Sequence, residues 1–454
     1  MIALPAKAQE IIDTLQNAGF SAYAVGGSVR DLLMDRPTKG WDFTTSATPQ
    51  ELLTLFTDSF YDNQFGTVGV KVTDDIFEVT TYRAELGYSD HRHPDQIQWG
   101  KTIEEDLARR DFTINAIAFD GKTLVDPYDG QGDIERKLVK AVGNPDDRFG
   151  EDALRMMRAV RIATELEFMI EPATRDAVKG QATLLTRISA ERIRDELLRL
   201  LAAPHGADGV LILKQSGLLS VILPEVETSF ATQQKSPKRH HIFDVGTHSV
   251  MSLKHCTSTD PIVRLATLLH DIGKPATFRI DSEGTITFYN HEVVGAKLAR
   301  NIAQRLRMSK KQSEKLVTLI RWHQFSVDER QTDSALRRFI RRVGKDNLDD
   351  MLALRIGDRL GGGARETSWR LELYKKRLVE VQKQPFTVAD LKVDGHDVMA
   401  EFKTKPGPIV GKVLSQLFSE VEEGTLPNAR NALLARLHST SLMEKHENRS
   451  RNKG

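Results

Sequence analysis

The 454-residue chain holds one cysteine, Cys256, so no disulfide can form within it. It has no run of about 18 apolar residues such as a membrane span needs. Lys7, Glu10 and Asp13 interrupt the apolar pattern of Met1 to Gln16, which leaves no secretory core. A cytoplasmic, reducing setting is therefore expected, with no membrane partner. An excess of one charge is missing as well: 64 Lys and Arg stand against 63 Asp and Glu, a formal net charge of +1. The whole-molecule field cannot draw in nucleic acid, so any basic surface has to be local. What is present, 40% hydrophobic and 28% charged residues, fits a globular chain and not a disordered or fibrous one. At roughly 150 residues per domain, the length suggests about three domains.

Periodicity orders the first part. Ile11, Ile12 and Leu15 recur at helical spacing before Gly19, a helix stopped by a left-handed cap. A strand is expected at Ala22 to Val25, and Gly26-Gly27-Ser28-Val29-Arg30-Asp31 then opens an apolar helix. A β-prone run follows from Trp41 to Ser46. Thr48-Pro49-Gln50-Glu51 is a capping box with proline at the first helical position, predicting a helix toward Phe56. Thr67 to Thr73 and Ile76 to Thr81 alternate as half-buried strands do. Ala84 to Trp99 is polar and reads as a long loop. After about Gly132 the strand signal gives way to amphipathic helices, and from His240 histidines crowd the sequence. Gly361-Gly362-Gly363 suits a hinge, and His446 to Gly454 a disordered charged tail. The fold class expected is α+β, a small mixed-sheet domain followed by all-helical ones.

A glycine pair between strand and helix lets backbone amides approach a phosphate, and Arg30 can add a charge. Asp42 on the next strand can hold Mg²⁺, and Glu78 on a later strand can join it, since magnesium takes few carboxylates plus substrate phosphates. Arg109-Arg110-Asp111-Phe112-Thr113-Ile114-Asn115-Ala116 puts Arg110 beside Asp111 and Asn115, suited to triphosphate and ribose. In Glu151 to Arg161, the residues Asp152, Arg155, Arg158 and Arg161 recur at i+3 and predict one polar helix stripe. An Asp acceptor beside an Arg donor complements cytosine and adenine, whose amino group neighbours a ring nitrogen. Uracil and guanine present the reverse pattern and would leave polar groups unpaired.

With the WDFTTSA segment, the GGSVRD, RRDFTINA and EDALRMMRAVR runs resemble the class II tRNA nucleotidyltransferases, the CCA-adding enzymes related to bacterial poly(A) polymerases. The resemblance covers roughly the first 200 residues, the reach of those runs in the sequence. It implies a polymerase-beta-like head, a helical neck that reads the incoming base, and helical segments that hold tRNA. CTP and ATP would be the nucleotides and Mg²⁺ the cofactor. By that resemblance Gly27 and Arg30 contact phosphates, Asp42 binds Mg²⁺, Arg110 and Asp111 hold triphosphate and ribose, and Asp152 with Arg155 reads the base. Arg158 and Arg161 assist. The family pattern is Asp-x-Asp, whereas this chain has Gly40 before Trp41 and Asp42. Transfer impaired for want of a ligand, a compensating acid such as Glu78, and a head kept only for binding are the three accounts of Gly40.

His248, the pair His270-Asp271 within Thr267 to Lys274, His291, His323 and Asp358 form a second constellation. Adjacent His270 and Asp271 would sit about 100° apart on a helix, so one metal reaches both only from between them. Their order resembles the HD phosphohydrolase domain. That implies a divalent transition metal such as Mn²⁺ or Ni²⁺ on His248, His270, Asp271 and Asp358, with His291 and His323 supporting a second ion and Lys274 steadying a phosphate. The division expected is a nucleotidyltransferase head at 1–132, a neck at 133–235, an HD-type domain at 236–361 and a helical tail at 362–454. Basic helices such as Arg337 to Arg342 could track RNA phosphates. Rival readings are a poly(A) polymerase, an enzyme adding only C or only A, and an HD phosphohydrolase with an inactive, RNA-binding head. No protein partner is implied.

Overall fold

The computed structural model describes residues 3–38, 40–63, 66–86, 96–234, 243–364, 368–382 and 387–451. They form two compact units, one up to Arg321 together with Ala353–Gly363, the other Trp322–Leu352 together with the chain from Ala364 onward.

The first unit opens with a seven-stranded sheet. Its strands are β1 (Ala22–Val25), β2 (Asp42–Thr45), β3 (Ser59–Asn63), β4 (Thr67–Val72) and β5 (Asp75–Thr81), followed after a separate pair β6 (Arg83–Leu86) and β7 (Gln96–Trp99) by β8 (Ala118–Phe119) and β9 (Leu124–Val125). Their order is β3-β4-β5-β2-β1-β8-β9. Every neighbouring pair runs antiparallel except β2 and β5, which are parallel.

Alternation along the strands sends Phe43, Val68, Val70 and Val79 to one face, where they pack with helices α1 (Ala6–Asn17) and α3 (Pro49–Leu55). Ile11, Ile12 and Leu15 of α1 are completely buried. At roughly 1.5–3 kcal/mol for each such side chain, this anchoring outweighs capping, worth about 1 kcal/mol. The N-cap of α1, Pro5, makes no side-chain cap bond at all. In α3 both halves of the capping box form: Thr48 Oγ1 accepts from the Glu51 amide at 3.4 Å and Glu51 accepts from the Thr48 amide at 2.8 Å. On the opposite face, Val25 and Ala118 pack with Ile103 and Leu107 of α4 (Ile103–Ala108). Asp42 and Glu78, on that same face, stay exposed.

Helices α2 (Gly27–Leu33), α5 (Gly130–Glu135), α6 (Pro145–Glu151), α7 (Leu154–Leu166), α8 (Pro172–Gln181) and α9 (Ala190–Ala202) complete this half of the unit. Buried Arg264, from the helix Pro261–Leu269, clasps the end of α9 by donating to the carbonyls of Leu201 and Ala203. It thereby satisfies groups that a helix terminus leaves open.

Several expectations change. The polar run read as a loop pairs at its two ends as β6 and β7, Arg83 opposite Trp99; residues 87–95 lie outside the described ones. Of the tail expected to be disordered, residues 446–451 continue a helix that starts at Arg430, and 452–454 lie outside the described residues. Stretch 322–352, grouped above with the histidine-rich domain, lies in the second unit. There, in the helix Asp333–Val343, Arg337 donates to the Glu422 carbonyl, Arg341 pairs with the Glu422 carboxylate at 2.5 Å, and Arg342 lies 4.9 Å from the Trp322 ring. Arg337 is buried in this packing, whereas Arg338, Arg341 and Arg342 stay exposed on the run expected to track RNA.

Candidate active site

The exposed sheet face carries one row of register partners. Val25 stands opposite Asp42, Asp42 beside Glu78 in the parallel pair, and Glu78 opposite Gly69. Strands lie about 4.8 Å apart, so the two acids stand side by side on one face, a single strand spacing apart. At the end of β1, Gly26 adopts φ +79°, a backbone that only glycine takes without strain. A side chain there would also meet Arg110 Nη1 at 3.2 Å and Asp42 Oδ2 at 3.7 Å. Gly26, Asp42 and Arg110 therefore converge. Although the Asp42 side chain reaches solvent, the protein packed around its carboxyl removes enough water to raise it above its ordinary range, against the pull of Arg110. The Arg110 Nε is buried with no hydrogen-bond partner among the described residues, so it is Nη1 that faces the glycine turn. Two carboxylates and the guanidinium of Arg110 fit a divalent cation with its phosphates. Gly40 sits two residues before Asp42, and a Cβ on it would meet nothing within 4 Å.

The other predicted nucleotide residues form a charged chain. Arg30 donates to Asn115 Oδ1 at 2.8 Å and pairs with Asp31 at 2.8 Å, so its guanidinium is held inside. Asn115 donates to Asp111 Oδ1 at 3.1 Å, and Arg158 clamps Asp111 Oδ2 through Nε and Nη2 at 2.8 and 2.6 Å. Burial alone would raise the Asp111 carboxyl, but Arg158 and Asn115 overcome it and hold it at about 2. Arg161 pairs with Glu196 at 2.6 Å and Glu165 at 2.8 Å. Completely buried Asp106 pairs with Arg109 at 2.5 Å and Arg110 at 3.1 Å.

The expected Asp152–Arg155 stripe is corrected by a break in the helix. Asp152 has φ −140° and ψ 102° and lies between α6 and α7, off the helix face of Arg155, Arg158 and Arg161. It accepts from the Leu154 amide at 3.1 Å and from both terminal nitrogens of Arg192 at 3.2 and 2.6 Å. Arg155 donates to Glu151 at 2.6 Å and to the carbonyls of Arg148 and Arg109 at 3.2 and 2.9 Å. Arg192, Glu196 and Asp106 are the partners that sequence reasoning missed. The i, i+4 spacing of Arg192 and Glu196 on α9 was the available signal.

In the histidine constellation, the helix before His270 ends at Leu269 and Asp271 lies in the turn beyond, so the two are not successive helix positions. His248 Nε2 lies 3.3 Å from His270 Nε2 and 3.2 Å from Asp358 Oδ1. Asp271 lies 3.2 Å from His270 Nε2 and 3.2 Å from His291 Nε2. Nδ1 of His270 and of His291 donates to the Thr267 and Phe288 carbonyls at 2.8 and 2.9 Å. Such bonds fix the tautomer and turn the Nε2 lone pairs inward, as metal-ligating imidazoles require. Burial pulls His270 down, yet Asp271 and Asp358 push it up to about 10, so a proton and a metal ion would compete for the same Nε2 lone pair. Lys274 is held at 2.6 Å by both Asp271 and Gln234, which leaves it less free for a phosphate than expected. His323 belongs to the second unit.

Family models match three stretches: the Poly A polymerase head domain over residues 22–140, the "Probable RNA and SrmB-binding site of polymerase A" over 167–230, and tRNA nucleotidyltransferase domain 2 over 285–437. A CCA-adding enzyme of Lactobacillus helveticus is 46% identical over 47% of this chain and 54% of its own, so the matched stretch spans about half of that relative. One from Levilactobacillus brevis is 33% identical over 94% of this chain and 96% of its own. The crystal structure of the Bacillus stearothermophilus CCA-adding enzyme in complex with CTP covers 99% of this chain and 100% of its own, at 27% identity and a TM-score of 0.74. Among the described residues no helix is long and apolar enough to cross a membrane.

Proposed function

Because the chain belongs to the CCA-adding enzymes, we propose that it adds CMP, CMP and AMP to tRNA 3′ ends from CTP and ATP, releasing pyrophosphate. The convergence of Gly26, Asp42 and Arg110, with Glu78 in register beside Asp42, carries this reading. Asp42 and Glu78 would hold Mg²⁺, which when bound supplies charge neutralisation to the triphosphate. Arg110, whose Nη1 faces Gly26, would orient the phosphates, and Gly26 and Gly27 leave room for them. Asp111 already accepts four hydrogen bonds, from the Phe112 amide, Asn115 and two nitrogens of Arg158, so it would serve the triphosphate and ribose by holding Asn115 and Arg158 in place.

Asp152 and Arg155 read the base with what remains to them. Asp152 already accepts three hydrogen bonds of the roughly four a carboxylate can take. Arg155 already donates three of the five N–H groups a guanidinium carries, leaving about two. One acceptor beside one donor is what cytosine and adenine need, and Arg161 braces the helix through Glu196 and Glu165.

The test is incorporation of labelled CTP, ATP, UTP and GTP into a tRNA lacking CCA, with Mg²⁺, by this protein and by Gly40→Asp. The expected products are C, C, then A in at least one of them. Repeated AMP addition alone points to a poly(A) polymerase, and a stop after C to a partial enzyme. Equal use of UTP and GTP, or no transfer by either protein, overturns the reading.

The second centre supports an added phosphohydrolase activity, carried by its donor set. His248, His270, Asp271 and Asp358 would hold a transition metal such as Mn²⁺ or Ni²⁺, which suits mixed imidazole and carboxylate ligands and when bound activates water. His291 stands beside Asp271 for a second ion, and His323 is left out of this set. Metal content of the purified protein against His270→Ala, and metal-dependent phosphate release from 3′-phosphorylated RNA, are the measurements. Equal metal in both proteins removes the reading.

A further inference from the structure

The register row through Asp42 does not stop at Glu78. Glu78 stands opposite Gly69, and Gly69 opposite Phe60 on the edge strand β3. Directly opposed residues share a face, so Phe60, Gly69, Glu78 and Asp42 look out from one side of the sheet. Phe60 is 47% exposed, yet it does not stand away from the sheet. Its ring lies on Gly69: a Cβ there would meet three Phe60 ring carbons at 2.5 to 2.9 Å. Only a residue without a side chain lets the ring down onto the strand. Ile76, 60% exposed and two residues before Glu78, extends the apolar surface on the same face.

We propose that the Phe60 ring, seated on Gly69, is the shelf on which the base of the RNA's 3′-terminal nucleotide stacks while its 3′-hydroxyl is presented at Asp42. This rests on the transfer reading above. Gly69 is two strand spacings from Asp42, roughly 10 Å, so the ring lies beside the carboxylates without covering them. Its side of the row also fits the chemistry. Gly26 and the start of α2 follow β1, on one side of Asp42, whereas β5, β4 and β3 lie on the other. The triphosphate then enters from the β1 side and the RNA end from the β3 side. The 3′-hydroxyl gives its proton to water as its oxygen bonds to the α-phosphorus and the bond to the pyrophosphate oxygen breaks, the attacking and leaving oxygens standing on opposite sides of that atom. An aromatic face accepts any base, as a site must when the terminal base changes with each addition.

The experiment uses a CCA-lacking tRNA whose last base is the fluorescent 2-aminopurine, bound by the full-length protein without nucleotide. Stacking quenches the fluorophore, so this readout needs no catalysis. Quenching is expected with the protein as given and with Phe60→Tyr. It is lost in Phe60→Leu, which keeps apolar bulk but no ring, and in Gly69→Ala, which lifts the ring. In steady-state transfer, Phe60→Leu raises KM for the tRNA roughly 5- to 150-fold, the worth of one stacked base, with KM for CTP unchanged. If Phe60→Leu binds the tRNA and quenches like the parent, the shelf is wrong and the transfer reading stands. If the parent neither binds nor extends the tRNA, the transfer reading falls and takes the shelf with it.

Discussion

Replacing Gly40 with Asp is the most informative single perturbation. The position lies two residues before Asp42, the first residue of β2, and an extended backbone through Trp41 would put its side chain on the Asp42 face. A Cβ there meets nothing within 4 Å and the backbone is not in the left-handed region. The substitution therefore introduces no clash, and removing a glycine's freedom from the unfolded chain adds roughly 0.4–1 kcal/mol of stability. The gain in chemistry is larger. One well-placed charged or hydrogen-bonding group at a transition state is worth about 10²–10³ in rate, so kcat for CMP transfer should rise by roughly that factor. Glu78 supplies the internal control. With Gly40 in place Glu78 is the sole second carboxylate in the row, and Glu78→Gln should lower kcat about 100-fold. With Asp at position 40 the same change should lower it much less. Single-turnover extension of a CCA-lacking tRNA, run on the four proteins of that cycle, measures the coupling between the two acids. Equal effects of Glu78→Gln in both backgrounds, together with no gain from Gly40→Asp, would refute the argument that these positions share an ion.

Three further outcomes follow from named contacts. Arg192→Ala frees Asp152 from its only described side-chain partners, the two Arg192 nitrogens; UTP misincorporation should rise about tenfold or more, and unchanged fidelity would show that Arg192 does not set the reader. Asp111 is held at about 2 against an ordinary 3.8, so its contribution is present above pH 4 and is lost as pH falls toward 2. That amounts to about 2 kcal/mol, and a denaturant series on Asp111→Asn should show a correspondingly flatter stability profile between pH 4 and 2. Arg264→Ala leaves the Leu201 carbonyl buried without this donor, while the Ala203 carbonyl keeps the Gly206 amide; unfolding free energy should fall about 1–3 kcal/mol, and a loss under about 0.5 kcal/mol in urea unfolding would count against the clasp.

Much of the sheet domain was legible because its signals are local. The Thr48 capping box and the alternation from Thr67 to Thr81 are each decided within a few residues, and both appear where the spacing places them. Strands β8 and β9 escaped because two residues carry no periodicity, and β3 because polar Asp62 and Asn63 blur its alternation. The break at Asp152 escaped for a different reason. Phe149, Ala153, Leu154 and Met157 keep an apolar rhythm straight across it, so a helix pattern runs on where the backbone turns. Its Arg192 partner lies 40 residues away, beyond any spacing rule. Likewise the order of histidines and acids pointed to one centre, but which carboxylate completes it is a matter of tertiary geometry, and Asp358 is the one beside His248.

The parallel β2–β5 pair also bears on how the site comes into being. Asp42 and Glu78 never meet in a hairpin, since β3 and β4 are threaded between them in sequence and return to the far edge. During synthesis, a chain that has emerged only as far as β4 has its glycine turn and Asp42 but lacks Glu78 altogether. The acid pair arises at one stroke when β5 slots between β4 and β2, a non-local closure of the kind that forms slowly. Ion binding at this pair should therefore report completion of the sheet, making the first carboxylate site a natural timer for the folding of the domain.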